Sequence, residues 1–346
     1  MDRDRGAKKP WYRRRIFWWP TGVIVGVLVA LIVTFIVSPW PAALILRAKI
    51  GSDNGKAKQA MQKHVPSGTH RIEDVQYRPD DSEARLDVYY PDDGGTDLPV
   101  IIWTHGGGWI SGSKDNGSPY YRILASRGFT VVAVDYSYGP EHTYPTAIHQ
   151  LNAAYGFVNK HADRFHADTD RIILAGDSAG AQLTSQMAAA VTSPDYADTL
   201  GITPALHSKQ LRGTVLACGI YDMDRLASGS SGARWGFDVA MWAYTGSRDY
   251  NDDPALAELS TINYLTSDFP PTFITGGNAD ALTDQQSKPF ASRLKQLDVD
   301  TQTLFFPSDY TPPLGHEYQF NLDIAAGKKA LHEIVAFSRD HTRSNK

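Results

Sequence analysis

The 346-residue chain has one cysteine, Cys218. A single thiol excludes an intramolecular disulfide, and a chain of this length can bury a core that needs none. Cys218 sits in the apolar run Gly213–Ile220, so a small core residue is the expected role. Basic charge is not in excess either: 34 Lys and Arg face 38 Asp and Glu. Residues 1–15 hold seven of the basic groups and two acids, which leaves 27 basic against 36 acidic residues for the rest. A body this acidic gives no support to nucleic-acid binding. No His, Cys and Asp cluster has metal-ligand spacing, so no metal is expected. Internal repeats and low-complexity tracts are missing too. What is present, 42% hydrophobic and 21% charged residues, suits a folded chain with a full core. The length fits one anchor plus one large α/β domain, or two small domains.

Charge is missing altogether between Ile16 and Leu46. Within that stretch, Trp18 to Val37 is long enough as a helix to span roughly 30 Å, about the hydrocarbon thickness of a bilayer. Pro20 suits a first helical turn, and Pro39 and Pro41 mark the end. Trp11, Tyr12, Trp18 and Trp19 on one side and Trp40 on the other suit two membrane interfaces. A buried core helix would leave these flanks and the basic cluster unexplained. A cleaved signal peptide is the stronger rival, but the apolar run is long for one and no small-x-small site closes it. The expectation is a basic cytoplasmic tail over residues 1–15, a transmembrane helix over 16–38 and a helical linker over 39–69. The basic residues before the span outnumber Arg47, Lys49, Lys56 and Lys58 after it, which sends the body outside the cytoplasm. Gly22 and Gly26 match a small-xxx-small pattern that also occurs without dimerisation, and the oligomeric state stays open.

From residue 70 to the end the texture is different. Apolar, β-rich runs recur at Arg85–Tyr90, Pro99–Thr104, Phe129–Tyr136, Arg171–Ala175, Leu211–Ala217, Thr272–Thr275 and Thr301–Phe306. Several are apolar nearly throughout, as strands covered on both faces are. Helix-like stretches lie between them: Pro119–Arg127, Pro145–Arg164, Ala179–Val191, Asp284–Leu297 and Leu322–Arg339. This alternation predicts an α/β domain with a mostly parallel sheet and helices on both faces. The stretch Asp222–Asn263 breaks the rhythm with glycine, serine and aromatic residues, among them Trp235, Phe237, Trp242, Tyr244 and Tyr250. Such an insertion caps a site, packs a small core of its own, or does both.

One run carries chemistry: Ile172-Ile-Leu-Ala-Gly176-Asp177-Ser178-Ala179-Gly180, a strand followed by G-x-S-x-G and a helix. A serine nucleophile needs that layout, because it must project from a tight turn at the C-terminal edge of a sheet. His105-Gly106-Gly107-Gly108-Trp109 follows an earlier strand and offers backbone N–H groups. Acyl transfer passes through a tetrahedral oxyanion that needs two or three such donors, here assigned to Gly107, Gly108 and Ala179. His105 itself is expected to brace the loop.

A serine needs a base. Of the eleven histidines, His316 lies in the loop Pro313-Leu-Gly-His316-Glu-Tyr318, after a strand and before the last helix, where a base would meet Ser178. His149, His161 and His332 fall within helical stretches, and His64, His70 and His341 near the domain ends. The orienting acid should come just past a strand between Ser178 and His316, where Asp280 and Asp284 both lie. Asp280 is preferred, since Asp284 better suits the N-cap of the next helix.

On these motifs the chain resembles the α/β-hydrolase family, and within it the hormone-sensitive-lipase-like esterases. The resemblance covers roughly residues 70–340. It rests on His105–Trp109, Gly176–Gly180, Asp280-Ala-Leu-Thr-Asp284 and Gly315-His316. It also includes Asp135-Tyr136-Ser-Tyr-Gly-Pro140-Glu141-His-Thr-Tyr-Pro145. It implies hydrolysis of a small-molecule carboxylic ester, with short to medium acyl chains and no cofactor. Ala281 stands where that family commonly has proline, and a membrane span is not typical of it. The same residues would serve an acyltransferase acting on a cell-surface alcohol or sugar. A non-catalytic binding module on this fold is a third reading, against which the full set of triad residues argues.

Overall fold

The computed structural model describes residues 12–93, 95–226 and 231–343, and the side chains in these ranges other than those of residues 12–20 and 231–233. Two helices lead in, α1 (Tyr12–Val37) and α2 (Trp40–Met61). The body then runs β1 (Thr69–Gln76), β2 (Arg85–Pro91), β3 (Leu98–Thr104), α3 (Ser118–Ala125), β4 (Thr130–Val134), α4 (Thr146–Lys160) and β5 (Ala167–Asp177). Next come α5 (Ala179–Thr192), α6 (Pro194–Thr199), β6 (Leu211–Ala217), α7 (Met223–Leu226), α8 (Ser231–Thr245) and α9 (Pro254–Leu259). It ends with β7 (Thr272–Gly276), α10 (Lys288–Gln296), β8 (Thr301–Phe305) and α11 (Ala325–His341).

All eight strands form one sheet in the order β1-β2-β4-β3-β5-β6-β7-β8. β1 and β2 pair antiparallel at one edge, and every pairing from β4–β3 to β7–β8 is parallel. The runs Val100–Trp103, Val131–Val134 and Ile172–Ala175 are fully buried, because helices cover both faces. The chain leaves β3 for β4 on one side and returns to β5 on the other. The reversal opens a crevice at the C-terminal ends of β3 and β5, where ligands bind in open α/β sheets.

β1 is the strand that the apolar pattern does not announce. It carries Thr69, His70, Arg71, Glu73, Asp74 and Gln76, and only Val75 of its residues is buried. An edge strand with one wet face keeps too little apolar alternation to stand out.

The segment expected to be a linker is a packed helix. Ala42 and Ala43 of α2 lie in a buried cluster with Ile110 and with Val239, Ala240 and Ala243 of α8. Met61 joins the core beside Tyr120 and Tyr121. Within the insertion Met241 and Tyr244 enter the main core, so these aromatic and apolar residues do not form a core of their own, while Trp235 is half exposed.

Helix α1 begins at Tyr12, so Pro20 lies inside it and not in its first turn. The tail residues 1–11 lie outside the described residues. The large apolar side chains from Val23 to Val37 are exposed. Among the described residues no single helix is long and apolar enough to cross a membrane. Thr21–Val37 and Trp40–His64 pass that test together, with a bend of 80° between them.

Candidate active site

Strand β5 ends at Asp177, and α5 starts at Ala179. Ser178 occupies the turn with φ 52° and ψ −123°, a strained conformation that thrusts the side chain out of the sheet edge. The turn is held from both sides. Ser178 N–H donates to the carbonyl of Ala217 at 2.8 Å, and the Ser178 carbonyl accepts from Ala181 and Gln182 in the first turn of α5. Gly180 permits the closeness this requires, since a Cβ there would come within 2.1 Å of the Thr104 carbonyl oxygen. Ser178 is 8% exposed, which leaves it one open side.

His316 stands on that side. Its Nε2 is 2.9 Å from Ser178 Oγ, and its Nδ1 is 2.7 Å from Asp280 Oδ2. The loops that carry the acid and the base are tied to each other. Ala279 N–H donates to the Leu314 carbonyl at 2.9 Å, Leu314 N–H donates to Asn278 Oδ1 at 2.9 Å, and Asn278 Nδ2 donates to the Tyr310 carbonyl at 3.1 Å. Asp280 is fixed a second time, because its Oδ1 accepts from Leu282 N–H at 3.0 Å. Its side chain is 6% exposed, against 40% for His316. One carboxylate therefore starts a helix with one oxygen and holds an imidazole with the other.

That arrangement corrects the expectation for Asp284. The helical turns begin at Ala281, ahead of Asp284, so Asp284 lies inside them and pairs with Lys288 at 2.5 Å on the surface. Asp280 does the capping, four residues earlier.

The loop His105–Trp109 lies alongside, because Thr104 of β3 pairs with Gly176 of β5. Gly107 and Gly108 have φ of 128° and 62°, and Trp109 continues at 57°. A Cβ on Gly107 would stand 2.0 Å from the Ser111 carbonyl oxygen, so glycine alone fits. Among the described residues, no carbonyl or side chain accepts from the N–H groups of Gly107, Gly108 or Ala179. Three free donors at a strained loop and a helix start suit an anion.

His105 braces this loop from behind. Its Nδ1 meets the Gly106 carbonyl at 2.7 Å, its ring stacks on Tyr136 at 4.4 Å, and Tyr136 Oη donates to its carbonyl at 2.9 Å. Burial pushes its pKa down, so it carries no charge. Trp109 is pinned between Gln182 Oε1, to which its Nε1 donates at 3.0 Å, and the stacked ring of Tyr244 from α8.

Burial also opposes charge on His316. The hydrogen bond to Asp280 and the fields of Glu317 and Asp280 outweigh it and lift the imidazole to about 9. Two-fifths of the side chain is exposed, and solvent screens part of these fields.

Sequence reasoning missed two groups. Cys218 is buried, as a core residue should be, yet its Sγ accepts from Glu317 N–H at 3.3 Å beside the imidazole. Burial raises the thiol well above its usual range. Sulfur, a carboxylate oxygen of Asp280 and a ring nitrogen of His316 lie within 4.8 Å of one another, a proximity the spacing along the chain does not betray. The second group is Glu317 itself, whose Oε1 is 3.8 Å from His316 Nε2.

Relatives share this architecture. Inhibitor-bound esterase B from Lactobacillus rhamnosis superposes with a TM-score of 0.75 at 21% identity, over 87% of this chain and 96% of that one. EstE1, a thermophilic carboxylesterase cloned from a metagenomic library, gives 0.69 at 22% identity, over 90% and 99%. In sequence, acetyl esterases of Salmonella schwarzengrund and Salmonella paratyphi B are each 32% identical over 202 residues, 55% of this chain. The chain matches about 57% of the length of those curated relatives. The model of the BD-FAE family matches residues 86–294, more than half of the sequence and the strands that carry Ser178 and the glycine loop. On that match, and with the α/β-hydrolase fold in place, the chain belongs to the BD-FAE family.

Proposed function

We propose that the protein hydrolyses carboxylic esters, with Ser178 as nucleophile, His316 as base and Asp280 as the acid that orients it. The observation that carries this reading is the unbroken relay from Ser178 Oγ through His316 to Asp280, at 2.9 and 2.7 Å. Neutral His316 keeps its proton on Nδ1, facing Asp280, and takes the Ser178 proton on Nε2 as Oγ bonds to the ester carbonyl carbon. The carbonyl oxygen gains negative charge within reach of the Gly107, Gly108 and Ala179 N–H groups. His316 then gives its proton to the leaving alcohol as the C–O bond breaks. Water repeats the sequence on the acyl-enzyme and frees the acid.

The acyl group is short in this reading. The similarity to acetyl esterases supports that part of the reading. The test is the full chain assayed on p-nitrophenyl esters from acetate to palmitate, beside Ser178→Ala. Turnover should peak at the short end and fall at least a thousandfold in the variant. Wild-type turnover in S178A, or a preference for palmitate, would overturn the respective part.

We also read residues 16–38 as a membrane anchor with the body outside the cytoplasm. The supports are the charge-free stretch, the exposed apolar side chains of α1 and the basic residues before it. Release of the chain from cell membranes by alkaline carbonate would refute it.

A further inference from the structure

His316 lies between two carboxylates. Asp280 Oδ2 is on Nδ1, at 2.7 Å, and Glu317 Oε1 is 3.8 Å from Nε2. The backbone aims Glu317 there at a conformational cost. Glu317 is in the left-handed region at φ 56°, its N–H is held by Cys218 Sγ at 3.3 Å, and its carbonyl accepts from Phe320 N–H at 3.1 Å.

Behind Glu317 stands Asp177, which is buried and bonded on both oxygens. Trp103 Nε1 donates to Oδ1 at 2.6 Å, and Gly106 N–H donates to Oδ2 at 2.8 Å. The Asp177 and Glu317 carboxylates crowd the same spot beside Gly106, where a Cβ would meet Asp177 Oδ2 at 2.5 Å and Glu317 Oε1 at 3.0 Å. Two carboxyl groups this close favour keeping a proton on one of them. Burial, then the charge of Glu317, push Asp177 up to about 8, so the buried partner is the one that keeps the proton. The pair lines a cavity of about 30 Å³ with Asn54, His105 and Asn116.

We propose that Glu317, whose carboxylate stands beside both His316 and Asp177, is a positioning and tuning residue for His316, and that its charge stabilises the imidazolium formed when Ser178 is deprotonated. The inference rests on the triad reading above. The titratable and charged groups that face His316 are Asp280 from the loop after β7, Asp177 from the end of β5, Cys218 after β6 and Glu317 beside it. Cys218 is protonated and Asp177 holds a proton, so Asp280 and Glu317 supply the negative field. His105, behind the loop, is neutral.

The sign follows from the geometry. A carboxylate beside the Nε2 lone pair favours the protonated ring, so removing it makes His316 less basic. A neutral imidazole is the working form of the base. The acid limb of kcat/KM should therefore move to lower pH in Glu317→Gln and in Glu317→Ala. We expect at least about half a pH unit, roughly a threefold fall in proton affinity. Glu317→Asp, which keeps the charge, should stay nearer the wild type.

The decisive measurement is NMR titration of the His316 ring in the full chain, for wild type, E317Q and E317A. It reads the imidazole whether or not ester is turned over, so it separates this inference from the triad reading, which S178A tests. A lower His316 midpoint in both variants supports the role of Glu317. Midpoints that coincide with the wild type would overturn it, and so would a rise.

Discussion

Arg47 of α2 donates from Nε to the carbonyl of Ile110 at 2.7 Å, two residues beyond Gly108. Its other nitrogens bond Glu141 and, at 2.9 Å, the Gly139 carbonyl, and the guanidinium lies 4.8 Å from the centre of the Tyr138 ring. A helix ahead of the sheet thus clamps the glycine loop to the Gly139–Glu141 turn. The hydrogen bond to Glu141 raises Arg47 above its already high pKa, so the clamp is charged at every working pH. Arg47→Ala should lower kcat about tenfold through misplacement of the Gly107 and Gly108 donors, with KM little changed. Stability should fall by about 1–2 kcal/mol, read from urea melts. Equal kcat in the two proteins would mean that the loop holds itself.

Asp280 and Asp284 are four residues apart and make opposite predictions. Asp280→Asn keeps an oxygen for Leu282 N–H but loses the negative partner of His316 Nδ1. It should cost about a thousandfold or more in kcat/KM while leaving the melting temperature nearly unchanged. Asp284→Asn removes one partner of a surface pair with Lys288, and activity should stay within about twofold of wild type. Steady-state kinetics on both variants decides which carboxylate orients the base.

This pair also shows what was readable in advance and what was not. Ser178 and His105–Trp109 are legible because backbone geometry dictates their glycines, and the sheet's parallel section is legible because strands covered on both faces are apolar throughout. The starting point of a helix is set by which carboxylate finds a free N–H. Two acids four residues apart look alike on paper, so Asp284 was mistaken for the cap. β1 stayed hidden because an edge strand tolerates His70, Arg71, Glu73 and Asp74. The role of α2 stayed hidden too, since Ala42, Ala43 and Arg47 acquire meaning only from Ile110, Val239 and Glu141, which are far away in sequence. Glu317 and Cys218 meet across 99 residues, and no spacing rule brings them together.

Gly180 measures how tightly the turn is built. A methyl group there would meet the Thr104 oxygen at 2.1 Å and the His105 oxygen at 2.4 Å. Both are backbone atoms and cannot swing aside. Gly180→Ala should force α5 away from the end of β3, moving Ser178 relative to the glycine loop. The expected cost is about 1–3 kcal/mol of stability. Activity should fall by far more than that loss explains at temperatures where the variant is still folded. Circular dichroism melts beside kinetics below the transition would show it, and full activity in a folded G180A would contradict the tight packing.

Asp177 ties the buried carboxyl pair to stability. Burial, then the Glu317 charge, raise its carboxyl from 3.8 to about 8, so the folded chain holds a proton that the unfolded chain has released. Between those two values the native state binds more protons than the unfolded state. Stability from this group is therefore fully present only below about pH 3.8 and is lost progressively as pH rises to about 8. Asp177→Asn is neutral at every pH and still offers one oxygen to Gly106 or Trp103, so it carries a constant cost for the lost bond. The difference in unfolding free energy between wild type and D177N should thus change with pH. From pH 5 to pH 8 the wild type should lose ground by at most about 1.4 kcal/mol per pH unit, and above that range the difference should level off. Urea denaturation of both proteins at pH 5, 6.5, 8 and 9.5 measures this directly. A difference independent of pH would mean that Asp177 is ionised in the fold.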